Sequence, residues 1–151
     1  MSNSLSQIAE ISISYKPIIT KIKKITSSKD AYYVLYPLFD ENTIALQEHF
    51  MVMFLNNAHH VIGVYPVSKG GISGTIADVR LILGVALKCA ASSIILSHNH
   101  PSGNLIPSTA DEMLTLKVKH AGEYMDIKLI DHIIITPIKS KYFSFLDEGK
   151  L

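Results

Sequence analysis

Cysteine is almost missing from this chain of 151 residues: Cys89 stands alone against seven histidines. A single thiol excludes an internal disulfide and a thiolate zinc cage. Excess charge of either sign is missing too. Lys and Arg number 14 against 13 Asp and Glu, a formal net charge of +1, so no global field draws the chain to nucleic acid or to a membrane surface. No apolar run approaches the ~20 residues needed to span a bilayer. Met1-Ser2-Asn3-Ser4-Leu5 lacks the basic-then-apolar pattern of a secretory leader. These absences describe a soluble cytoplasmic protein. Apolar side chains are plentiful, at 48%, enough for one domain with an ample core.

The local patterns alternate between strand and helix. Glu10 to Lys16 alternates apolar and polar and predicts a half-exposed strand ended by Pro17. Lys21-Ile22-Lys23-Lys24 is a small basic cluster, read as a solvated face. Ser27 or Ser28 caps a helix through Tyr36, stopped by Pro37. Gln47 to Asn57 is nearly continuous in apolar residues and predicts an interior strand. Its hairpin partner is Val61 to Val67, and His59 and His60 fall in the intervening turn, where they read as exposed polar residues. Gly70, Gly71 and Gly74 suggest backbone lying close to something, but no Gly-Lys-Ser/Thr ending follows to make a phosphate loop. Asp78 to Ala91 is an amphipathic helix, with Gly84 inside it as a point of close packing and Cys89 near its end as a packed thiol. Thr109 to Ala121 is a further helix closed by Gly122. Asp126 to Thr136 is a strand, and Tyr142 to Phe145 adds an edge strand. With no βαβ repeat, the sheet should be mixed.

One stretch makes a chemical statement. Ser93-Ile94-Ile95-Leu96 leads into Ser97-His98-Asn99-His100, and strand alternation points His98 and His100 to one face and Asn99 to the other. Pro101-Ser102-Gly103 breaks the strand, and Pro107-Ser108 starts a helix. A loop of that length can swing Asp111 back against both imidazoles. Two imidazoles and a carboxylate leave a fourth position for water, the catalytic zinc pattern. Ser108 and Asp111 are also what a helix start requires: an N-cap, then an acid near the positive helix end. The two readings coexist, because a helix start would hold Asp111 in place.

The pattern His98-x-His100, seven residues, then Ser108-x-x-Asp111, with Glu48 upstream, resembles that of the JAMM (MPN-type) zinc metalloproteases. His98-Asn99-His100-Pro101-Ser102-Gly103 is similar to the RadC-like branch of that family, as are Glu48-His49-Phe50, Gly70 to Thr75, Asp131-His132-Ile133-Ile134 and Ser144 to Gly149. The agreement covers roughly the last two-thirds of the chain. It implies an α/β fold, a single JAMM/MPN-type (cytidine-deaminase-like) domain with a curved mixed sheet flanked by helices. Residues 1–43 would form an N-terminal strand and helix extension and residues 44–151 the metalloprotease domain. The resemblance further implies one zinc held by His98, His100 and Asp111, with Glu48 as general base and Ser108 donating its hydroxyl to the developing oxyanion. Asp131 could hold a ligand imidazole by its second nitrogen. Asn99 departs from deubiquitinating members, which carry Ser or Thr there, and this weighs against a ubiquitin-type substrate.

The implied activity is zinc-dependent hydrolysis of an amide, in a peptide or isopeptide substrate, by activated water. One alternative is a DNA-repair-associated metal enzyme acting on nucleic acid. The near-neutral charge argues against nucleic acid as the main ligand. The paired helix-hairpin-helix segment of longer RadC-like relatives is also not found in the N-terminal third. The other alternative is a non-catalytic MPN binding module, and retention of the whole residue set speaks against it. A zinc deaminase is excluded, because its Pro-Cys-x-x-Cys element is absent.

Overall fold

The computed structural model describes residues 8–18, 23–70 and 77–151. Gly71, Gly74, and the first two residues of the Lys21–Lys24 cluster lie outside them. The first regular element is helix α1, Ser28–Leu35. Ser27 caps it, its side chain accepting from the Asp30 amide, while Asp30 accepts in turn from Thr26. Pro37 does not end the chain's turning at once; a single 3-10 turn, Tyr36–Leu38, carries it through.

Five strands follow: β1 His49–Leu55, β2 Val61–Lys69, β3 Ser93–Asn99, β4 Lys128–Ile135 and β5 Tyr142–Ser144. They form one sheet in the order β2-β1-β3-β4-β5. β1 pairs antiparallel with both neighbours, β3 and β4 are parallel, and β5 closes an edge antiparallel to β4. The sheet is therefore mixed. Every residue of β1 and β3 is buried, as an unbroken apolar run in an interior strand should be. Helix α2, Val79–Lys88, connects β2 to β3, and helix α3, Thr109–Glu123, makes the crossover from β3 to β4.

The two faces of the sheet carry separate cores. Phe50, Val52, Phe54, Ile94, Leu96 and Leu129 pack under α2 and α3, through Ile82, Leu83, Ala86 and Val118. Met51, Met53, Leu55, Ile95, Ile133 and Ile135 pack under α1, through Ala31, Tyr32 and Leu35. Parity changes once within β4. Ile94 aligns with Leu129 but Ile95 aligns with Asp131, so Ile130 is a bulged extra residue. Before the bulge the odd residue Leu129 faces α2 and α3; after it, the even residues His132 and Ile134 do.

Three expectations are corrected. Residues 10–16 form no strand: no described residue pairs with them, and Ile11 and Ile13 are 89% and 76% exposed. Alternation describes a surface suited to a sheet, but a strand exists only with a partner. Gly84 is not a close-packing point, since a Cβ there would meet nothing within 4 Å. Gly122 lies inside α3 and does not close it; a Cβ there would come 2.3 Å from the Ile127 carbonyl oxygen. Cys89 is a buried thiol at the end of α2, and burial pushes its pKa up. No described helix is long and apolar enough to cross a membrane.

Candidate metal centre

β3 carries the site because of its parity. His98 shares the α3 side of the sheet with Leu96, and its ring lies flat against Phe50, centroids 5.8 Å apart and planes 5° from parallel. His100 extends the ladder one step past the strand, its amide donating to the Ile135 carbonyl at 2.8 Å. The chain then reverses at Gly103, whose φ of 81° is left-handed backbone that glycine adopts without strain. That reversal returns the Asn104 carbonyl to His100, where Nδ1 donates to it at 2.6 Å.

Helix α3 supplies the third group. Ser108 is its N-cap and Asp111 its third residue, and they form a reciprocal capping box. The Asp111 amide donates to Ser108 Oγ at 3.1 Å, and the Ser108 amide donates to Asp111 Oδ2 at 2.7 Å. The same carboxylate reaches both imidazoles: Oδ1 is 3.3 Å from His98 Nε2 and Oδ2 is 3.4 Å from His100 Nε2. Burial would push this carboxyl up, but the hydrogen bonds from His100 and His98 outweigh it and hold Asp111 well below the ordinary range. For His100, burial opposes charge, while Asp111 and the Asn104 carbonyl favour it and raise its pKa.

The proton on each ring can be placed by following donors. Thr115 Oγ1 donates to the Asp111 carbonyl at 2.6 Å, so it can only accept from His132 Nδ1, 2.6 Å away. His132 is buried and its pKa is depressed well below the ordinary value, by burial first and then by His98. It is therefore neutral, with a lone pair on Nε2, and His98 Nδ1 donates to that nitrogen at 2.8 Å. Both His98 and His100 then carry a proton on Nδ1, which leaves Nε2 of each ring to face Asp111 and the other imidazole. Those two Nε2 atoms lie 3.0 Å apart. Two ring nitrogens this close to each other and to one carboxylate are held together by a proton or by a metal cation between them.

Spacing fits the cation. Ligands at zinc bond lengths around a tetrahedral ion stand about 3.3 Å from each other, and the closest separations here are 3.0, 3.3 and 3.4 Å. Among the described residues, His98, His100 and Asp111 are the one group of His, Cys, Asp or Glu side chains that could hold a metal. His59 and His60 stay in the β1–β2 turn, His59 with a left-handed φ of 60°. The cleft outside the three groups is lined by Glu48, His100, Pro101, Ser102, Asn104, Ile106, Pro107 and Ser108. Glu48 and Ser108 thus share one cleft with His100.

Asp131 is placed differently from the sequence expectation. It points to the α1 side, where it accepts from the His132 and Leu146 amides and from Ser144 Oγ. Burial raises its pKa despite those bonds. Its hydrogen bonds reach neither His98 nor His100; the imidazole held by a second partner is His98, and the partner is His132. The Ile130 bulge is the reason, because it turns His132 toward His98 and Asp131 away from it. Thr115 was missed. Asn99 is buried on the face away from the cleft, where its side chain accepts from the His49 amide.

A mixed sheet with two histidines at the end of an interior strand, and a carboxylate at the start of the next helix, makes this an α/β domain with a side-chain group that could hold a metal. A family model described as the RadC-like JAB domain matches residues 25–150. A UPF0758 protein of Flavobacterium johnsoniae is 53% identical over 131 residues, which is 87% of this chain and 55% of the relative. One from Porphyromonas gingivalis is 43% identical over 129 residues, covering 85% and 55%. One from Staphylococcus haemolyticus is 36% identical over 126 residues, covering 83% and 53%. The chain belongs to the RadC-like JAB domain family. It spans about half the length of the curated relatives it matches.

Proposed function

We propose that this domain is a zinc-dependent hydrolase that cleaves an amide bond in a peptide or isopeptide. The observation that carries the reading is the pair of Nε2 atoms on His98 and His100, turned toward each other and toward the Asp111 carboxylate beside a cleft. Zinc bound there would supply Lewis acidity and bring the pKa of a bound water to about 7.

The chain's own residues supply the rest. Glu48 opens into the same cleft and is the group placed to take a proton from water and return it to a leaving amine. Ser108 Oγ already accepts from the Asp111 amide, so its own hydroxyl proton is free to donate to an oxyanion in the cleft. Phe50, flat against His98, keeps water off one side of that ring. Asp111, braced by the Ser108 amide, holds its carboxylate without depending on either histidine.

The test combines metal analysis with a cleavage screen over peptides and isopeptides. Purified protein should hold one zinc per chain, and His98→Ala, His100→Ala and Asp111→Ala should each lose it. Glu48→Gln should keep its zinc and lose hydrolysis by ~10²–10⁴-fold. A zinc-free Glu48→Gln makes Glu48 a ligand; a fully active one removes it from catalysis.

A further inference from the structure

Asn99 lies between the two ligand histidines in sequence and on the opposite side of the sheet in space. Its side chain is buried and makes three hydrogen bonds to a single segment of backbone. Nδ2 donates to the Ile44 carbonyl at 2.7 Å and to the Gln47 carbonyl at 2.8 Å, and Oδ1 accepts from the His49 amide at 2.7 Å. The carboxamide orientation is chemically forced, since carbonyls can only accept and an amide can only donate.

Two of these bonds, at Gln47 and His49, fall immediately before and after Glu48. The carbonyl of Glu48 itself accepts from the Gly70 amide at 2.8 Å. The pairing of β1 with β3 ends at Phe50 and His98. One residue further, the side chain of Asn99 takes the His49 amide in place of a backbone group. The preceding residues form tight turns, with the Ile44 and Thr43 amides donating to Asp40 and the Gln47 amide to Thr43. Such turns leave their last carbonyls without partners, and Asn99 satisfies two of them.

We propose that Asn99 is a positioning residue for Glu48, its carboxamide holding that residue at a fixed distance from the centre formed by His98 and His100. One rigid strand then sets both quantities: ligands project from one face of β3, and the anchor for the base projects from the other. The inference rests on the hydrolase reading for its purpose, and on the three bonds to Asn99 for its geometry.

Two variants test it. Asn99→Asp keeps shape and acceptor but turns oxygen lone pairs toward the Ile44 and Gln47 carbonyls. Asn99→Ser is uncharged and too short to reach them. Metal affinity is measured by chelator competition. The Glu48 carboxylate is followed by carbon NMR in glutamate-labelled, cobalt-loaded protein, with its signal assigned by its absence from Glu48→Gln. Metal affinity should stay within about threefold of the parent, against the 10–100-fold loss typical when a ligand's own hydrogen-bond partner is removed. The paramagnetic shift of Glu48 should collapse, whereas the ring signals of His98 and His100 stay put. In a parent that cleaves an amide, turnover should fall about a hundredfold with KM unchanged, as for a displaced reacting group.

An unmoved Glu48 signal in Asn99→Ser, or metal affinity lost in step with it, overturns the proposal. A parent that takes up no cobalt instead sinks the hydrolase reading. The bracing is then read from hydrogen exchange at the His49 amide, expected to accelerate about tenfold in Asn99→Ser on loss of one buried bond. Unchanged exchange there overturns the proposal as well.

Discussion

Replacing Thr115 with valine should weaken metal binding far more than it weakens the fold. The two side chains have the same shape, so packing in this buried position is kept. What goes is the acceptor for His132 Nδ1, 2.6 Å away. A buried donor left without a partner costs about 1–3 kcal/mol. The metal-free protein can escape that cost. His132 moves its proton to Nε2, His98 releases the proton on Nδ1, and the displaced proton appears on His98 Nε2, against Asp111 Oδ1 at 3.3 Å. Zinc needs that nitrogen bare, so binding must reverse the exchange and bear the whole cost. A loss of 1–3 kcal/mol is about 5–150-fold in affinity. Chelator competition measures the affinity, and proton–nitrogen correlation spectra of the imidazoles report the tautomers directly. Unfolding of the metal-free variant should fall by less than the binding energy lost. Unchanged affinity alongside a full 1–3 kcal/mol loss of stability would refute the reasoning, since it would mean that the Thr115–His132–His98 chain does not set the ligand tautomer.

Gly122→Ala should destabilise the protein by about 3 kcal/mol in urea unfolding, the upper end for overpacking, because its Cβ would meet the Ile127 carbonyl oxygen at 2.3 Å; a neutral substitution would mean that α3 and the turn after it shift freely. In metal-free protein, His132 is held below its ordinary pKa by burial and then by His98, with His100 adding and Asp111 opposing. The unfolded chain therefore takes up that proton first as pH falls, and stability is lost below about pH 6.5, with a limiting slope of about 1.4 kcal/mol per pH unit for each proton. His49 acts in the same direction and His100 in the opposite one, so the assignment comes from His132→Gln, whose slope between pH 7 and 5 should be shallower than the parent's. Equal slopes would remove His132 from the balance. Converting His59 and His60 to alanine together should leave metal content unchanged, and loss of metal would show that the turn histidines take part.

Local patterns carried most of the architecture. The Ser27 cap, the apolar run of β1, the amphipathic face of α2 and the Ser108 helix start are each set by neighbours in sequence, and each lies within a few residues of its expected place. Parity along β3 likewise separated His98 from Asn99 without any knowledge of the fold. The failures needed information from elsewhere in the chain. Strand alternation cannot tell residues 10–16 whether a partner exists. It cannot see the Ile130 bulge either, because the extra residue is defined only against β3. Without it, Asp131 and His132 are equal candidates to support a ligand. Asn99 was legible as pointing away, but its partners at Ile44, Gln47 and His49 are some 50 positions distant in sequence. Thr115 gave a signal that could have been used: it follows Asp111 by one helical turn, on the same side of α3.

The capping box has a consequence for the order in which this protein assembles. Asp111 Oδ2 is held by the Ser108 amide, an interaction that exists only when the first turn of α3 is wound. The carboxylate therefore has no fixed address in a chain whose helix is frayed. Winding that turn and completing the constellation become one cooperative event, so amide protection at the start of α3 should report occupancy of the centre. An ion bound at a hundred times its dissociation constant would add about 2.7 kcal/mol to this unit, enough to change a fraying helix end into one of the last parts of the domain to open.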